Sequence, residues 1–235
     1  MNVTLVTAFL RQRLTSPIRV GLLLLVTVFP LGFVAITGEL GTLDGLAGPI
    51  ALILAAGAIG QDVSSGTLQL LLVRPVSRPS YLASRWLAAT LGATAIAATA
   101  IGLGVIVLLL RGHGPEPLEP VRMLLEALSA AAGQAAVMVM LSTLANGLGD
   151  VGLYVASTVL IQMSLAIGTF EHWTWLVRAC EELQGVLGAK LSWAWLSHGT
   201  SPSWFGLVSW ASTLTLALAV GIARLNRREL SYAAG

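Results

Sequence analysis

The sequence predicts an all-α integral membrane protein that crosses the bilayer six times. Three observations carry that reading. First, 56% of its 235 residues are hydrophobic and only 10% are charged, with a mean hydropathy of +0.84. A soluble domain carries about 25% charged residues, so this chain has too little charge to cover a water-facing surface. Second, six stretches approach the roughly 20 mostly apolar residues that a helical span needs. Third, the arginines are distributed unevenly about those stretches.

The expected spans are 20–36, 46–60, 86–110, 127–148, 151–170 and 204–223. The second is short and its start extends back toward Thr42, whereas the third runs 25 residues without a charge. Only residues 146–150 separate the fourth from the fifth, which predicts a tight helical hairpin. With the N-terminus inside, the inner segments hold Arg11, Arg13, Arg19, Arg74, Arg78, Arg85, Arg224, Arg227 and Arg228 against Asp62, Asp150 and Glu229, a balance of +6. The outer segments hold Arg111, Arg122, Arg178 and Lys190 against eight acids, a balance of −4. The positive side faces the cytoplasm, so both termini are expected there.

Three segments do not span. Residues 3–14 read as an interfacial helix, with Val3, Leu5, Val6, Phe9, Leu10 and Leu14 on one side and Thr4, Thr7 and Arg11 on the other. Arg13 falls toward the apolar side and is expected to snorkel to the headgroups. Ser16-Pro17 breaks this helix before the first span. Residues 171–203 lie outside and carry Trp173, Trp175, Trp193 and Trp195, with an apolar stretch at 183–196. Such a segment returns partway into the membrane or lies on its surface.

Composition also excludes function classes. Lys190 is the only lysine, and its surroundings lack the G-x-x-x-x-G-K-[ST] spacing that cradles phosphates, so no P-loop and no ATPase activity are expected. Cys180 is the only cysteine, which excludes an internal disulfide and a cysteine-built metal site. A net charge of +2 gives no electrostatic footprint for nucleic acid. The N-terminus lacks a small-residue cleavage site and is not expected to be a signal peptide. Glu181-Glu182 lacks the arginine of E-E-x-x-x-R, since Val186 stands there, and His113, His172 and His198 are scattered. No catalytic residue, metal or cofactor is expected in this chain. Ionisable residues are missing from the middle of every span, which argues against ion-coupled transport. Gln134 and Gln162, with Thr27, Ser142, Ser157 and Thr158 behind them, are candidates for a translocation path. The plainer reading is that they bond neighbouring helices. The small residues Gly92, Ala93, Ala95, Ala97, Ala98, Ala100, Gly102 and Gly104 of the third span fit packing within one subunit or a dimer seam, and packing within the subunit is the plainer reading.

The segment between the second and third spans carries most of the functional information. Asp62 or a following serine is expected to cap a short helix over 62–73, and Pro75 to end it. Leu68, Leu71 and Leu72 occupy one side of that helix, and Val63, Leu70 and Val73 the opposite one. A helix apolar on two sides needs a second surface to cover it, and a partner protein supplies one. Arg74 and Arg78 are placed to meet headgroups or a partner's carboxylates.

Here the chain resembles the permease subunits of ABC-2 type exporters. That family has a coupling helix after its second span with an acidic-x-x-x-Gly-Thr-Leu-x-x-Leu-Leu pattern followed by Pro-x-Ser-Arg. Asp62, Gly66, Thr67, Leu68, Leu71, Leu72, Pro75, Ser77 and Arg78 stand at those places, with Ser64 at a second position that is often acidic. The resemblance extends to the layout of interfacial helix, six spans, outer re-entrant segment and basic C-terminal end. It implies a bacterial inner-membrane permease that pairs with a second permease subunit, as a homo- or heterodimer. It also implies docking of a separate ABC ATPase, which binds ATP and Mg, on the 62–73 helix through Asp62, Ser64, Gly66, Thr67, Leu68, Leu71, Leu72, Arg74, Pro75 and Arg78. A non-transporting module that passes ATP-driven motion to a partner protein shares every one of these features.

Overall fold

The computed structural model describes residues 3–65, 77–145, 147–189, 191–198, 201 and 203–227. Those residues form helices and turns, with no strand among them. Helix α1 is Val3–Leu14 and α2 is Pro17–Thr37. Pro17 sits in the first turn of α2, where its missing N–H has no intrahelical acceptor to lose. Gly38, at φ 76°, ends α2 by donating its N–H to the Val34 carbonyl.

The second span differs from the single short helix expected. It extends over Leu40–Ser64 in three pieces: a 3-10 turn at Leu40–Leu43, α3 at Ala47–Ala55 and α4 at Gly60–Ser64. Gly45 and Gly57 adopt φ values of 78° and 64° at the two breaks, a conformation costly for any residue with a Cβ. Asp62 lies inside α4 rather than capping it.

Helix α5, Arg78–Leu110, is 33 residues long, about 50 Å at 1.5 Å per residue. The hydrocarbon core is only about 30 Å thick, so the first turns of α5 reach beyond it. Ser77 caps this helix by accepting the Ser80 N–H. Helices α6, Glu119–Leu144, and α7, Gly149–Phe170, form the expected hairpin. Then follow α8, Thr174–Gly188, the short α9, Trp195–His198, and α10, Trp204–Arg227. Among the described residues six helical stretches are long and apolar enough to cross a membrane, which makes this a multi-pass membrane protein.

Helix α6 is the centre of the bundle and packs on α3, α5 and α10. In its most apolar window 67% of residues are buried, as are 72% in the second span, against 11%, 6% and 11% in α2, α7 and α10. The last three are therefore peripheral. Close helix approach rests on small side chains. A Cβ on Gly92 would meet Leu10 and Leu54, and one on Gly104 would meet Leu40 and Leu43 at 3.0 Å. Ala93, Ala97 and Ala100 are fully buried. Gly92, Ala93, Ala97, Ala100 and Gly104 thus pack within this subunit, whereas Ala95 and Gly102 of the same stripe are exposed.

Both ends of the described chain lie at one end of the bundle. Helix α1 lies against α5 through Phe9 and Tyr81, and the start of α5 bonds the last turn of α10. Helix α8 folds back along α7: Leu176 and Val177 sit over Gly168, and Gly188 reaches Tyr154 and Thr158, near the middle of α7. The chain turns there through Ala189, at φ 41°, which touches Gly133 in the middle of α6. It then climbs past Ser129, whose hydroxyl accepts the Trp193 Nε1–H, to Glu126, whose carboxylate accepts the Trp193 backbone N–H.

Candidate functional site

The break between α3 and α4 leaves backbone donors without helical acceptors. Two side chains more than eighty residues away supply them. The Ser142 hydroxyl accepts the Ile59 and Gly60 N–H groups at 2.8 and 2.9 Å. The Asp150 carboxylate accepts the Gly57 N–H at 2.6 Å through one oxygen and the Val151 N–H at 2.9 Å through the other. Gly147 donates its N–H to the Gly60 carbonyl. Ser142 and Asp150 are completely buried. A Cβ on Gly60 would lie 2.7 Å from the Gly147 carbonyl oxygen, so only glycine permits this approach. The α6–α7 hairpin therefore grips the point from which α4 leaves the bundle.

Beyond that grip, α4 is locked to two more helices. Asp62 accepts hydrogen bonds from the Tyr81 hydroxyl and the Arg85 guanidinium, both on α5. Asp62, Tyr81 and Arg85 are each less than 5% exposed. The Arg85 guanidinium also lies 3.5 Å from the centre of the Phe9 ring of α1, a cation–π contact. One residue earlier, the Gln61 side-chain oxygen accepts hydrogen bonds from Arg13 at 3.1 Å and Arg19 at 3.0 Å. Arg13 thus turns inward to Gln61 and does not snorkel. Burial, then repulsion from Arg19 and Arg85, pushes its pKa down to about 10.

Of the expected docking residues, Asp62, Ser64 and Arg78 are described. Gly66, Thr67, Leu68, Leu71, Leu72, Arg74 and Pro75 lie outside the described residues, as does most of the expected 62–73 helix. Ser64 is exposed and donates its hydroxyl to the Gln61 carbonyl. Arg78 donates to the Leu225 and Asn226 carbonyls at 3.0 and 2.9 Å, so it caps the C-terminal end of α10.

The candidate path residues do not form one line. Gln162 and Thr158 share a pocket of about 120 Å³ with Tyr154 of α7 and with Gln184, Leu187 and Gly188 of α8. The hydroxyls of Ser157 and Thr158 donate to the Tyr154 carbonyl of their own helix. Gln134 is buried in α6, and its amide nitrogen has no hydrogen-bond partner among the described residues.

Sequence reasoning passed over Gln61, Tyr81, Arg85 and Asp150 as parts of a site, took Ser142 only as a candidate path residue, and did not place Gln184 in a pocket with Gln162. Arg13 on the apolar face of an amphipathic helix was the one local sign of the polar joint. The chain matches no family model and no curated protein.

Proposed function

We propose that this chain is the membrane permease subunit of an ABC-2 type exporter, with ATP hydrolysed by a separate ATPase subunit. The observation that carries this reading is the joint at α4. The loop with the Gly66-Thr67-Leu68 motif begins one turn after Asp62, on a strut held by α1, α5 and the α6–α7 hairpin. A push on that loop reaches the central helix α6 directly, because Ser142 bonds the base of α4. A plain connector between spans has no need of such a joint.

In this reading the arginine-rich end of the bundle faces the cytoplasm, and the outer segment 171–203 is partly re-entrant. The turn at Gly188–Ala189 beside Thr158 and Gly133 supports that depth. Arg178, Glu181 and Glu182 are exposed on α8, and charges at membrane depth face protein or water rather than lipid. Helices α7 and α8, with the Gln162–Gln184 pocket between them, therefore border a second permease subunit or the substrate path.

The test is co-purification from nanodiscs. Wild-type protein is expected to retain an ATPase carrying a Walker A motif, and Leu71→Asp and Gly66→Trp to lose it while remaining folded. Retention of the ATPase by both variants, or its absence from the wild type, overturns the assignment.

A further inference from the structure

We propose that the elbow between α1 and α2 binds a phosphate group, supplied by an anionic lipid headgroup of the leaflet in which α1 lies. The starting observation is a local excess of buried positive charge. Arg13 and Arg19 converge on the single side-chain oxygen of Gln61, at 3.1 and 3.0 Å. Arg85 packs against the same corner and is paired with Asp62. Two carboxylates face this cluster among the described residues: Asp62, which Arg85 and Tyr81 occupy, and Asp150, whose charge acts on Arg19, so three arginines meet two acids. Asp150, at the neighbouring break, has both oxygens committed to backbone N–H groups. The residues at 66–76 include Arg74 and no acid.

Arg13, 5% exposed, therefore has a neutral amide as its hydrogen-bond partner and two guanidinium groups for neighbours, and the carboxylate that acts on it, Asp62, is already paired with Arg85. Burying a charge without its counter-charge is strongly unfavourable. An anion at the elbow removes that frustration. The location specifies which anion. Arg19 stands in the first turn of a membrane span, where the lipid phosphates lie, and it is only half-buried. Helix α2 is peripheral in this subunit and Arg19 is half-buried, which leaves its outer side open to a lipid headgroup. Basic pockets between spans on the cytoplasmic side bind anionic headgroups by this chemistry. Arg13 and Gln61 would hold Arg19 in place, and Arg19 would present its outward N–H groups to the phosphate.

The experiment uses the full chain in nanodiscs of phosphatidylcholine alone, of phosphatidylcholine with about one-fifth phosphatidylglycerol, and of phosphatidylcholine in millimolar inorganic phosphate. Thermal unfolding is read by reaction of the buried Cys180 thiol, and bound lipid by native mass spectrometry. Phosphatidylglycerol is expected to raise the wild-type midpoint by about 5 °C or more. Arg19→Gln is expected to lose most of that gain and the retained lipid, and Arg111→Gln, at the opposite end of α5, to keep both. Arg13→Gln is expected to match or exceed the wild type in phosphatidylcholine and to fall below it once phosphatidylglycerol is present. Inorganic phosphate reproducing the effect without anionic lipid retains the phosphate site and overturns its lipid source. Equal midpoints in all three media, or an equal gain for wild type and Arg19→Gln, overturns the site.

Discussion

Replacing Ser142 by alanine removes one oxygen and orphans two backbone donors. The Ile59 and Gly60 N–H groups both end on that hydroxyl, which is completely buried, and α4 begins beyond the reach of the carbonyls of α3. An unsatisfied buried donor costs about 1–3 kcal/mol. Two on one acceptor, with some relaxation at the break, cost about 3 kcal/mol. For a chain of this length each kcal/mol moves the unfolding midpoint by about 2–4 °C, so the expected fall is about 6–12 °C. The protein carries its own reporter: Cys180 is the only cysteine and is buried, so a thiol-reactive dye follows unfolding without labelling mutations. Ser157→Ala is the matched control. Its hydroxyl bonds a carbonyl of its own helix, and its loss is expected to cost under about 1 kcal/mol. A fall of less than about 2 °C for Ser142→Ala, or equal falls for both variants, would show that the break is held by something other than this serine.

Two further outcomes follow from the buried polar groups. Asp62→Ala leaves the Arg85 guanidinium buried without its carboxylate and is expected to cost about 3 kcal/mol, within the range for breaking a buried pair. The double variant Asp62→Ala/Arg85→Met is expected to recover part of that stability in a dye melt, and no recovery would deny the pair its structural role. Gln134→Leu removes an amide whose nitrogen has no partner among the described residues, so it is expected to leave the melting midpoint unchanged or slightly raised. A loss above about 1 kcal/mol would mean that the amide is bonded in the membrane.

The sequence by itself determined the number and rough limits of the spans, the α6–α7 hairpin, the interfacial pattern of α1 and the break at Ser16-Pro17. These follow from one-dimensional physics: the length of an apolar run against the thickness of the bilayer, the period of a helix, and the missing N–H of proline. The charge asymmetry was equally legible, since it is a count along the chain. What only the tertiary structure decided is where polar groups end. The 46–60 run reads as one short helix because nothing in it announces that Ser142 and Asp150, 83 and 93 residues away, satisfy a broken backbone. Arg13 reads as snorkelling until Gln61 is placed beside it, and that Arg78 caps α10 shows only when the end of that helix arrives. Asp62 reads as a helix cap until Tyr81 and Arg85 claim its oxygens. Apolar residues declare their environment through the company they keep along the chain. A buried hydrogen bond is a contact between two specified atoms, and its partner is fixed only when the helices come together.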